Sequence, residues 1–127
     1  MTVTYRFMAI AAAVAAVAMP LPAGAQDAAH GKVLFEQCVA CHSFDPTHND
    51  VGPHLKGLFG RKAASVDDFT YSPPLRRANI TWTPQLLDDF LRAPQEGPFR
   101  GNRMPFAGMA DAKDRADLIA YIKEAAK

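Results

Sequence analysis

The sequence is poor in cysteine, with only two cysteines among its 127 residues. A structural zinc site needs four ligands, and no second cysteine pair exists here to complete one. The two cysteines are separated by two residues, so a disulfide between them would close too short a loop to constrain the unfolded chain much. A zinc fold and a disulfide-stapled scaffold are therefore both disfavoured.

An excess of charge of one sign is also missing. The chain has 14 Lys and Arg residues against 13 Asp and Glu residues, for a net charge of +1. Nucleic-acid-binding proteins normally carry a basic excess, so this balance gives no support for a nucleic-acid partner. Alternating strand patterns are scarce as well, which argues against the βαβ setting of a thioredoxin-like dithiol.

The chain has one long apolar run, near its start, and that run is short for a membrane anchor. Residues 7–19 are apolar, which is fewer than the ~20 residues that a membrane-spanning helix requires. Arg6 precedes the run, and the small residues 23–25 follow it as a cleavage site. We predict a secretory signal peptide over residues 1–25 and a single mature domain over residues 26–127. Such a domain would lie in the bacterial periplasm, without stable membrane insertion after cleavage.

The most informative feature that is present is the pentapeptide Cys38-Val39-Ala40-Cys41-His42. C-x-x-C-H is the attachment sequence of a c-type haem. The two thiols add to the haem vinyl groups as thioethers, and the adjacent imidazole is offered to the iron. The sequence therefore predicts one covalently attached haem c, held by Cys38 and Cys41, with His42 as a ligand to the iron.

Helical spacing of apolar residues recurs on both sides of this pentapeptide. Residues 28–41 repeat apolar positions at helical intervals, so we predict an N-terminal helix that the haem sequence closes. Thr83 followed by proline predicts a second helix that stops before Pro94. Asp111 predicts the start of a third helix, whose buried face includes Leu118.

The remaining segments, residues 43–81 and 95–108, are punctuated by glycine and proline and predict loops and short turns. Loops of this length normally argue against a compact domain. A buried haem changes that expectation, because its apolar disc becomes part of the core and orders the loops packed on it. We therefore predict an all-α domain with three main helices and long loops wrapped around one covalently bound haem.

These features together resemble the class I cytochrome c family of the soluble bacterial and mitochondrial type. The resemblance extends over essentially the whole mature sequence, and it implies the small cytochrome c fold, with the first and last helices in contact. Besides C-x-x-C-H, it is carried by segments that follow in family order: residues 31–35, 52–61, 69–72, 80–82, 103–106 and 117–121.

The resemblance also implies roles for individual residues. His42 and Met104 correspond to the two axial ligands, and the Pro53 carbonyl corresponds to the partner of the other imidazole nitrogen. Phe90 stands where many members place a tyrosine whose hydroxyl reaches the methionine sulfur, so that hydrogen bond is expected to be absent. The remaining implied site residues are donors to a buried haem propionate: Arg61, Tyr71, Trp82 and, where the family commonly has a threonine, Asn102.

Reasoning from residue types alone leaves alternatives open for several of these positions. A methionine is commonly a gap-filling core residue, so Met109 or a histidine could replace Met104 as the sixth ligand. Tyr71 and Trp82 could be simple core aromatics.

The expected activity follows from two strong axial ligands, which leave no position on the iron for a substrate. The resemblance implies a monomeric one-electron carrier, not an enzyme, that exchanges electrons with membrane complexes or a periplasmic dehydrogenase. Two alternatives remain. One is a haem protein with an open or labile sixth site that acts in catalysis or gas sensing. The other is a cytochrome subunit docked permanently to a periplasmic enzyme.

Overall fold

The computed structural model describes residues 25–127 and is helical. In that range the only pairing of extended backbone is an isolated antiparallel bridge between Lys62 and Thr81, which confirms the all-α class. No helix among these residues is long and apolar enough to cross a membrane. All but the last residue of the predicted signal peptide lies outside the described residues. The elements are α1 (Ala28–Phe35), α2 (Pro73–Arg77), α3 (Pro84–Arg92), a 3₁₀ turn (Gly97–Phe99) and α4 (Ala112–Ala125).

The helices begin at side chains that satisfy the free N–H groups of a first turn. The carboxylates of Asp27 and Asp111 each accept two backbone N–H bonds, at the starts of α1 and α4. The Thr83 hydroxyl accepts one from Leu86, and Pro84 occupies the first turn of α3. The starts predicted at Thr83 and Asp111 are thus confirmed, whereas the Asp27 cap was not predicted.

The N-terminal helix is shorter than predicted, because α1 ends at Phe35 and not at Cys41. Beyond it the chain continues in tight turns, in which the Cys38 N–H donates to the Phe35 carbonyl at 2.7 Å. One helical bond survives, from the His42 N–H to the Cys38 carbonyl at 2.9 Å. Tightening of this kind is common where a helix ends.

Helix α2 is a second difference from the prediction, because the prolines of residues 43–81 were interpreted only as helix breakers. Pro73 and Pro74 occupy the first positions of α2, where an amide N–H has no intrahelical partner. The missing proline hydrogens therefore cost nothing there. Proline, which was interpreted only as a helix breaker, therefore begins a helix here.

Helices α1 and α4 pack closely, as the resemblance implied. A Cβ atom at Gly31 would collide with the Asp117 carbonyl and the Tyr121 side chain, so only glycine permits this approach. The Phe35 ring lies 5.4 Å from that of Tyr121, measured between centroids. Leu118 is 1% exposed and completes the contact from α4.

The side chain of Asp117 binds the two helices together at this crossing, although it is a fully buried carboxylate. Its Oδ1 accepts the Asp27 N–H at 2.8 Å, and its Oδ2 accepts from Lys113 Nζ at 2.7 Å. His30 Nδ1 lies 2.9 Å from the same Oδ2. The hydrogen bonds from Lys113, from the Asp27 backbone and from His30 hold the pKa of Asp117 well below its usual range. The buried charge is stable because it is fully partnered.

We expect Asp117→Asn to lower the free energy of unfolding of the haem-loaded protein at pH 7, because an amide cannot balance the Lys113 charge. Folding lowers the pKa of Asp117, so its stabilisation is fully present above the ordinary carboxyl pKa of about 3.9 and is lost as pH falls below that value. Denaturant titrations at pH 7 and pH 3 should show the difference from wild type shrinking at the lower pH.

Asp114→Asn is the matched control, since Asp114 is also on α4 but lies 4.0 Å from His30 with a side chain 38% exposed. Asp114→Asn should lower the free energy of unfolding at pH 7 less than Asp117→Asn does. An equal loss of stability at both pH values for Asp117→Asn would contradict the proposed charge-dependent contact.

Candidate haem site

A cavity of about 550 Å³ opens between the helices and the long loops. Its wall is mainly apolar and includes much of the core, with Phe35 from α1, Leu87 and Phe90 from α3, and Leu118 and Ile122 from α4. All of the predicted site residues line it: Cys38, Cys41, His42, Pro53, Arg61, Tyr71, Trp82, Asn102 and Met104. The fold thus brings together residues that lie far apart in sequence.

The imidazole of His42 is oriented by the backbone around it. Its Nδ1 lies 2.8 Å from the Pro53 carbonyl oxygen, so Nδ1 carries the proton and Nε2 is left as the metal-binding nitrogen. Burial lowers the pKa of His42, more than the Pro53 bond raises it, which favours the neutral ring that a metal ligand requires. Sequence reasoning gave no role to Gly52, yet a Cβ there would collide with this ring. The glycine directly before Pro53 was the feature of the sequence that could have indicated this close approach.

Both cysteines are unpaired and lie in the same turn as His42. The Cys41 N–H donates to the Cys38 carbonyl at 3.1 Å, which fixes the spacing between them. Burial and the neighbouring Cys41 raise the pKa of the Cys38 thiol to about 11, so it is uncharged at neutral pH. One short turn therefore presents two sulfur atoms and one imidazole to the cavity, as covalent haem attachment requires.

The structure distinguishes between the two methionines of the mature chain. Met104 lines the cavity, whereas Met109 does not. The Met109 N–H donates to the Leu91 carbonyl at 2.7 Å, and its side chain packs on the hydrophobic core. The histidines other than His42 are also absent from the cavity wall: His30, His48 and His54.

Arg61, Tyr71 and Trp82 approach the cavity from the loops. The Arg61 guanidinium is half-buried and donates to the Lys56 and His54 carbonyls at 2.8 and 3.0 Å. Burial raises the pKa of the Tyr71 hydroxyl, which keeps it protonated and able to donate. These groups could partner a propionate, and that role remains a prediction.

Trp82 belongs to an aromatic cluster at the edge of the cavity. Its ring stacks on Phe99 at 5.7 Å and meets the edge of Phe90 at 5.6 Å. Phe90 itself is buried and, like Met104, lines the cavity, and its ring carries no hydroxyl group. The α3 side of the cavity wall is thus apolar.

The Asn102 side chain is engaged within its own loop, whereas the resemblance implied a contact with a propionate. Its Nδ2 group donates both hydrogens to backbone carbonyls, to Pro94 at 2.6 Å and to Phe99 at 3.0 Å. No amide hydrogen is left for a propionate in this arrangement. The residue organises the loop that carries Met104.

Comparison with known proteins agrees with this geometry. The sequence model of a family described as cytochrome c matches residues 28–126. The chain is 45% identical to a cytochrome c2 of Blastochloris viridis over 104 residues, which cover 81% of each chain. It is 40% identical to a cytochrome c2 of Agrobacterium tumefaciens over 100 residues, 76% of this chain and 89% of the relative. The chain belongs to the cytochrome c family, and its cofactor is one covalently attached haem c.

Proposed function

We propose that this chain is a periplasmic one-electron carrier, with Cys38 and Cys41 as the attachment points and His42 and Met104 as the axial ligands. The observation that carries the proposal is the single cavity in which two thiols, one imidazole and one thioether converge on apolar walls. The relatives named cytochrome c2 support electron carriage. The short apolar run at residues 7–19 supports export.

When bound, the haem supplies a reversible one-electron change at its iron. The protein sets the balance between the two oxidation states. Met104 offers a thioether, which favours the ferrous state and raises the reduction potential. Pro53 orients the His42 ring and increases its basicity as a ligand. The wall of the cavity that both residues line is mainly apolar.

Catalysis or gas sensing would require an open sixth position. Met104 on the cavity wall argues against that alternative, because its thioether is available to occupy the position. We therefore favour electron transfer without bond chemistry.

The ligand assignment predicts a difference between two methionine variants. Met104→Ala should abolish the weak methionine-to-iron charge-transfer absorbance of the ferric protein, lower the reduction potential and let carbon monoxide bind the ferrous form. Met109→Ala is the control and should do none of these, because Met109 packs outside the cavity. The reverse pattern would transfer the ligand role to Met109, and no effect from either variant would favour a histidine.

The mouth of the cavity indicates the kind of partner. Only Arg103 is charged among the exposed residues that line the cavity, and its guanidinium donates to the Thr70 carbonyl at 2.8 Å. Removing Arg6 with the signal leaves 14 − 1 = 13 basic residues against 13 acidic ones, a net charge of zero. The large hydrophobic side chains that are exposed within residues 25–127 lie in or near the haem-attachment segment of the sequence: Val33, Val39 and Val51.

We infer that redox partners meet this mouth through a mainly apolar surface whose one exposed charge, Arg103, is held against the Thr70 carbonyl, and that charge does not steer the encounter. Steering by charge commonly changes association rates by about 10- to 1,000-fold and depends strongly on salt. Without such steering, apolar contact is the source of affinity between this protein and its redox partners. Such a surface suits a freely diffusing carrier and a docked subunit equally well.

This inference predicts rates that are insensitive to salt. Oxidation of the ferrous protein by hexacyanoferrate(III) and by cationic tris(phenanthroline)cobalt(III) should each change by less than about twofold between ~0.01 and ~0.15 M ionic strength, although the Debye length falls from about 30 to about 8 Å. Gln37→Lys adds a charge to the mouth and should make the anionic oxidant salt-sensitive. Steep and opposite salt effects on the two oxidants in wild-type protein would refute this inference.

A further inference from the structure

Asn102 lies at the centre of the loop that leaves α3 and carries Met104 back to the cavity. Its side chain is buried, with the residue 8% exposed. A buried primary amide has two hydrogens to donate and one oxygen that accepts, and each needs a partner. The partners of this amide therefore show what the residue does.

All the partners of the Asn102 amide belong to the loop itself. The Nδ2 hydrogens bind the carbonyls of Pro94 and Phe99, which lie near the start and the middle of the loop. The Oδ1 atom accepts the backbone N–H of Met104 at 2.8 Å. One side chain thus joins the start, the middle and the end of the loop.

Hydrogen bonds also hold the backbone around Asn102. Its own N–H donates to the Phe99 carbonyl at 3.0 Å, and its carbonyl accepts from Gln95 Nε2 at 3.2 Å. Gln95 also accepts the Gly101 N–H at 3.1 Å, where a φ of +83° suits glycine. Gln95 is exposed, so its bonds compete with water, whereas both donations from the Asn102 amide are buried.

We propose that Asn102 is the positioning residue of Met104: it holds the loop so that the thioether faces the cavity through contacts within the protein. The inference rests on Met104 being the axial ligand. A threonine at this position has one hydroxyl hydrogen and a shorter side chain, so it could not make both donations and also accept from Met104. Without the amide, Met104 should leave the iron more often.

The test measures how readily an external ligand displaces Met104. Imidazole is titrated into the ferric haem-loaded protein, and its binding is followed by loss of the methionine-to-iron charge-transfer absorbance. Asn102→Ala should bind imidazole about 10- to 100-fold more tightly than wild type, since it loses several buried hydrogen bonds. Asn102→Thr should recover only part of this difference. If Asn102→Ala gives no haem-loaded protein, Asn102→Thr carries the test and should bind imidazole severalfold more tightly than wild type.

Two controls separate positioning from general destabilisation. Gln95→Ala removes exposed bonds of the same loop and should have a smaller effect than Asn102→Ala. His30→Ala weakens the distant contact with Asp117 and should lower the free energy of unfolding without changing imidazole affinity. An affinity in Asn102→Ala equal to that of wild type or of His30→Ala would overturn the proposal, as would full recovery in Asn102→Thr.

Met104→Ala distinguishes this failure from failure of the proposed function. If Met104→Ala abolishes the charge-transfer absorbance and Asn102→Ala behaves like wild type, only the positioning role is wrong. If Met104→Ala retains that absorbance, Met104 is not the ligand, and both inferences are wrong.

Discussion

The apolar cavity is the constraint on which the rest of the structure depends. Its wall and the hydrophobic core are largely the same side chains, since Phe35, Trp82, Phe90 and Leu118 belong to both. A chain of this size buries a limited apolar surface, and here that surface surrounds a cavity of about 550 Å³. Cofactor binding and core formation are therefore one process. This explains why long loops are compatible with a stable domain here.

Helices α1 and α4, which lie near opposite ends of the sequence, cross each other and close the core. Gly31 allows the helices to approach, and the buried carboxylate of Asp117 fixes their relative position through partners on both helices. A buried charge with every partner in place favours one arrangement, because any shift of the helices would leave it unsatisfied. The predicted attachment cysteines, Cys38 and Cys41, lie in the turns that directly follow α1.

The two proposed iron ligands are supported in different ways. His42 follows a helix and is oriented by a backbone carbonyl, that of Pro53, so its geometry depends little on side chains. Met104 lies on a loop with little regular structure, and a single buried amide, that of Asn102, joins the parts of that loop. We expect the methionine side of the haem to be the more easily opened of the two, since fewer elements hold it.

Local sequence determined the features whose causes lie within a few residues. Thr83 and Asp111 begin helices because their side chains bind N–H groups of the next turn, and C-x-x-C-H specifies attachment through its own spacing. The tertiary structure decided the rest. Asp117 reaches a partner 90 residues away, and no local pattern records that contact. The amide of Asn102 had two competing uses, and only the folded loop, which places two carbonyls and one N–H around it, selects between them.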